Sequence, residues 1–73
     1  MFEKELRQAG HTRTFSIKDR SDAGWEVRDV QDDQVLKQAY YTDWHRVERA
    51  LTIFNLQIDE LESNGWSSYS LKR

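Results

Sequence analysis

The residues best equipped for chemistry crowd into one stretch, YYTDWHRVERA, Tyr40 to Ala50, which holds two tyrosines, a tryptophan, a histidine and two arginines. His45 and Glu48 stand three apart, a spacing that puts an imidazole and a carboxylate on one helical face, as in a metal pair. One such pair falls short of a site, because metal centres between helices draw on at least two. His11, the other histidine, has no evident partner along the chain and reads as a surface or half-buried side chain. Asp32 and Asp33 are adjacent carboxylates, but QDDQ reads as a tight turn, where aspartate hydrogen-bonds its own backbone. The chain has no Ser-His-Asp order of known type, no glycine-rich phosphate loop and no cysteine. So short a chain also has little room for a water-excluding pocket. The expectation is a non-enzymatic protein with no metal, no cofactor and no small-molecule substrate.

The elements that would position these residues follow from periodicity. MFEKELRQAG places Phe2, Leu6 and Ala9 at helical spacing with Gly10 as a stop, so residues 1–10 read as a short helix, docked or frayed. HTRTFSIKD reads as a strand with Arg13, Phe15 and Ile17 on one side. RSDAG turns the chain, and GWEVRDV is a second strand, with Trp25 and Val27 opposed to Glu26, Arg28 and Val30. VLKQAYY is a third, of ambiguous facing: Val35, Ala39 and Tyr41 compete with Leu36 and Tyr40. Short turns make the three an antiparallel meander. Thr42 or Asp43 then caps a helix whose apolar stripe is Trp44, Val47, Leu51, Phe54, Ile58 and Leu61. Trp44, as its head, is expected in the core. Gly65 fits the left-handed position after the helix, with Trp66 folding back onto Leu61. The tail, residues 67–73, carries Tyr69 and Leu71 two apart and reads as an edge strand or a disordered surface segment. The expected fold is α+β in a single domain, 1–73: a three-stranded antiparallel meander packed on one long C-terminal helix, (α)βββα with room for a short final strand.

Charge narrows the function classes. The formal net charge is −2 over 73 residues, which does not suit a protein that binds by neutralising phosphates. No apolar run reaches membrane-spanning length and no basic-then-apolar leader follows Met1, so a cytoplasmic protein is expected. On the helix, Arg46, Arg49, Ile53, Leu56 and Glu60 form a second stripe opposite the apolar one. Its charges run base to acid, against the preference of the helix dipole, at about 0.3–1 kcal/mol for each. Exposed Ile and Leu are ordinary, and surface charges tolerate such costs. Yet the stripe is self-complementary under a two-fold axis, with Ile53 and Leu56 near the axis and the arginines facing Glu60 of the partner. A protein partner, or self-association as a weak homodimer, is the leading expectation. The alternative is a nucleic-acid-binding domain that uses an exposed sheet face bearing Lys18, Arg28 and Lys37.

GWEV, YYTDWHRVERA and LESNGW together look like short bacterial proteins of unknown function that share a W-x-V strand and a Trp-headed helix, a likeness spanning about residues 12 to 66. That resemblance brings no activity with it. The α-β-β-β-α order also resembles double-stranded-RNA-binding domains, and a three-stranded sheet with one helix resembles plant AP2-type and integrase amino-terminal DNA-binding domains. The first would imply lysines at the start of the second helix, where this chain has Thr42, Asp43, Trp44, His45 and Arg46. The second would imply groove reading by the sheet.

Overall fold

The computed structural model describes residues 2–70. Its strands are β1 (Phe2–Gln8), β2 (His11–Asp19), β3 (Trp25–Gln31), β4 (Gln34–Tyr41) and β5 (Ser67–Ser70), with a single helix, α1 (Trp44–Ser63), between β4 and β5. All five strands belong to one antiparallel sheet in the order β4-β3-β2-β1-β5. The expected (α)βββα meander is therefore corrected to a five-stranded sheet with one helix.

The two added strands, one from each end of the sequence, both extend the sheet beyond β2. Residues 2–8 are a strand, not a helix. Phe2 and Leu6 are four apart, which suits one face of either element, since four is both a helical step and two strand periods. Pairing with β2 and β5 decides between them, and the turn makes the first pairing possible. Ala9 and Gly10 both have positive φ, 50° and 82°, and join Gln8 directly to His11 across a two-residue hairpin. At the other end, Ser67–Ser70 pairs with β1 as the edge strand that the tail allowed. Leu71, counted with that tail, lies outside the described residues.

One face of the sheet is dry. Leu6 of β1, Phe15 and Ile17 of β2 and Val27 of β3 meet Val47, Ala50, Phe54 and Ile58 of α1 in a single core. Phe15 and Phe54 are tilted against each other with ring centres 4.9 Å apart. The helical stripe is thus as expected in its middle, with Leu51 and Leu61 half-buried at its border. Its head differs. Trp44 is 50% exposed and rests edge-on against Trp25, ring centres 5.1 Å apart, instead of entering the core. It is the first residue of the helix, so its ring lies over the end of β3 rather than over the sheet's middle.

Both ends of α1 have identifiable stops. The Asp43 carboxylate accepts the His45 N–H at 3.0 Å. At the far end the Trp66 N–H reaches the Leu61 carbonyl and the Gly65 N–H the Glu62 carbonyl, each at 3.1 Å, with Gly65 at φ 97°. Gln8 of β1 then donates to the Asn64 carbonyl at 2.8 Å and ties this end to the sheet.

Phe54→Ala should cost about 3–5 kcal/mol by chemical denaturation, because the ring is fully enclosed. Trp44→Ala, at a half-exposed site, should cost well under half as much; comparable losses would mean that Trp44 belongs to the core after all. Gly65→Ala should cost about 1 kcal/mol, since alanine resists the left-handed conformation and its Cβ would press on the Gln8 amide. A stabilised Gly65→Ala variant would show the helix running on through residue 65.

Candidate interaction groove between β4 and α1

The ambiguous facing of β4 is resolved by a bulge. Val30 pairs with Val35 and Asp29 with Lys37, so Leu36 is an extra residue and the strand changes phase there. Beyond it, Lys37, Ala39 and Tyr41 lie on the helix side, while Gln38 and Tyr40 lie on the open side with Val35. Only Thr42 and Asp43 then separate β4 from α1, so the helix turns back beside the strand it has just left. That reversal brings Arg46, Arg49, Ala50 and Ile53 alongside Lys37 and Tyr41, and these six side chains line one groove of about 270 Å³.

All five residues of the outer stripe, Arg46, Arg49, Ile53, Leu56 and Glu60, are exposed. The first three line the groove; Leu56 and Glu60 lie further along the helix and do not. Lys37 and Tyr41 join the site although periodicity alone did not assign them to it. The two-residue link between β4 and α1 was the available signal. Among the described residues, none of Lys37, Arg46 and Arg49 takes part in an ion pair.

The residues proposed for nucleic acid are divided between two faces. Lys18 and Arg28 stand on the open face and Lys37 on the helix side. The open face is also charge-balanced. Glu3, Glu5 and Glu26 share it with Arg7, Lys18 and Arg28, and Lys18 lies 4.0 Å from Glu3. The Nε of Arg28 is buried without a hydrogen-bond partner. Its neighbour Glu26 is buried in a polar clamp: Arg20 donates to it at 2.8 Å, Gln38 at 2.6 Å and Tyr40 at 3.1 Å. The Arg20 bond above all holds this carboxyl below its ordinary range; burial pulls the other way, and Gln38 and Tyr40 add to the lowering.

The histidines resolve differently from one another. His11, expected without a partner, has Asp32 2.9 Å from its Nδ1. Asp32 also accepts the Thr12 N–H at 2.8 Å and donates its own N–H to the Thr12 carbonyl at 2.9 Å. The Thr12 N–H first, then His11, lowers the Asp32 carboxyl from its usual value. Asp32 and Asp33, at φ 50° and 68°, form the tight turn that QDDQ announced. A concavity of about 560 Å³ opens beside His11 at the β1–β2 turn, with Thr12 and Ser67 also in its lining. His45 is 3.7 Å from Glu48 with its side chain 92% exposed, and no cluster of three metal-ligating side chains occurs among the described residues.

Compared with protein families, curated proteins and solved structures, the chain matches none. No helix among the described residues is long and apolar enough to cross a membrane.

The Glu26 clamp has a pH signature. A carboxylate whose folded pKa is lowered contributes stability that is fully present above the unfolded value of about 4.3 and is lost as pH falls through the folded value. Urea denaturation at a series of pH values should therefore show wild type more stable than Glu26→Gln at neutral pH, with the gap closing in acid. A gap that stays constant with pH would show that the lowering is absent.

Proposed function

We propose that this chain is a small non-enzymatic protein-interaction module whose contact surface is formed by β4 and the outer face of α1. The observation that carries the reading is where the exposed apolar surface lies. Among the described residues, every exposed large hydrophobic side chain belongs to one of these two elements: Val35, Leu36 and Tyr40 on β4, and Trp44, Ile53 and Leu56 on α1. Ile53 is 40% exposed and Leu56 64%. Scattered apolar residues carry no message, but confinement to adjoining elements is the distribution expected of a docking surface. Both histidines are mostly in water, His11 at 60% and His45 at 92% side-chain exposure, which suits a surface role better than general acid–base work. The division of Lys18 and Arg28 from Lys37 leaves nucleic acid without a continuous basic track.

Site-specific photo-crosslinking in the native cell tests the reading. A benzophenone side chain in place of Leu36 or Leu56 should give discrete cross-linked species, and one in place of Glu3, on the open sheet face, should give none. Equal yields from all three positions, or none from Leu36 and Leu56, would sink it.

A further inference from the structure

The groove between β4 and α1 has an unbalanced charge and a free hydrogen-bonding edge beside it, and together they specify an occupant. We infer that it receives an extended acidic peptide segment, which adds to the outer edge of β4 as a further strand and sets alternate carboxylates against Lys37, Arg46 and Arg49. The inference rests on the interaction-module reading and names its partner chemistry.

Charge is the first argument. The chain is net acidic, yet Lys37, Arg46 and Arg49 gather in one groove with no ion-pair partner among the described residues. The nearest carboxylate by register, Asp29 opposite Lys37, is already engaged by Arg13 through two bonds of 2.6 and 2.8 Å. Arg46 and Arg49 are like charges three apart on a helix, in the half where the dipole disfavours cations. Among the described residues Asp43 lines a neighbouring hollow with Arg46, but its carboxylate caps the helix through the His45 N–H and forms no ion pair with the cations.

The backbone is the second. β4 is an end of the sheet, so the N–H and C=O groups on its outer side are unpaired within the sheet. The bulge spoils regular pairing up to Leu36, which leaves Lys37 to Tyr41 as the usable edge. That is also the stretch that lies beside the cations. Strand side chains alternate, so a segment added here would present every second residue to Lys37, Arg46 and Arg49 and the intervening ones to Gln38 and Tyr40 on the open side. Acidic residues at i and i+2 meet the requirement, and exposed Ile53 favours an apolar residue at its end of the groove.

Two other occupants fit less well. A second copy lying antiparallel on α1 offers one carboxylate of the stripe, Glu60, but adds its own Lys37, Arg46 and Arg49 to the same contact. A nucleic acid strand would satisfy the cations but not the strand edge, and apolar Ile53 and Leu36 flank the path that its backbone would follow.

The experiment is fluorescence anisotropy with a labelled nine-residue peptide carrying Glu at every second position between Val and Thr, and with its Gln counterpart. The Glu peptide should bind about tenfold more tightly than the Gln peptide at low salt, and Lys37→Ala or Arg49→Ala should each weaken it about threefold to tenfold. Lys18→Ala, on the open face, should leave it unchanged. N-methylation of alternate peptide amides should also abolish binding. Circular dichroism establishes that each variant is folded. As a second arm, an Arg46→Glu/Arg49→Glu variant should reverse the preference and favour a Lys peptide. Equal affinity for the Glu and Gln peptides overturns the inference. So does an equal loss on Lys18→Ala, tighter binding of a random single-stranded oligonucleotide at the same salt, or cross-links from Leu36 and Leu56 that run only at twice the mass of the chain. If the peptides fail while those residues still cross-link to another protein, the partner chemistry is wrong and the interaction-module reading stands.

Discussion

A single helix has to carry the chain from one edge of the sheet to the other, and most of the structure follows from that. α1 leaves β4 at one end of the strand order and delivers β5 to the opposite end. Twenty residues of helix span about 30 Å, while five strands are about 19 Å across, so the helix can cross only obliquely. Its middle therefore lies over the centre of the sheet, where Phe54 meets Phe15 and the core is closed. At its start it lies beside β4, the last strand on that side, and no other described element covers its outer side there. The groove and the exposed apolar residues are where this one oblique crossing runs out of protein.

The same geometry explains how charge is distributed. Where the sheet is covered, polar groups are committed: Asp29 to Arg13, whose guanidinium also lies 4.9 Å from the centre of the Phe15 ring. On the open face, which no other described element covers, Ser16 and Glu26 are nevertheless buried. Glu26 is stable in that position because Arg20, Gln38 and Tyr40 all donate to it. Against this background of satisfied carboxylates, the cations beside β4 stand out. They sit where a helix prefers acids, and no ion pair among the described residues offsets them.

Edges complete the picture. β4 ends the sheet on one side and carries a bulge and Lys37, devices that commonly discourage indiscriminate pairing. A lysine in that role also selects, because it rejects basic and tolerates acidic newcomers.

What the sequence by itself determined was whatever depends on neighbours along the chain. His11–Asp19 and its facing, the α1 stripe through Val47, Phe54 and Ile58, the QDDQ turn and the Gly65 stop with Trp66 bonded back to Leu61 are all local periodicities or local backbone demands. The outer stripe could be placed for the same reason, because 100° per residue sets which side chains oppose the core. What only the tertiary structure decided involved pairing at a distance. Phe2 and Leu6 satisfy helix and strand alike, and it is β2 on one side and β5 on the other that make residues 2–8 a strand. The bulge at Leu36 shifts the phase of β4, so no period of two could say that Lys37 faces away from Lys18 and Arg28. Trp44 fits an apolar stripe by count, but its burial depends on how far the sheet extends beneath the first turn of the helix. Burial and register are properties of what an element meets, and a residue's own neighbours in sequence do not carry that information.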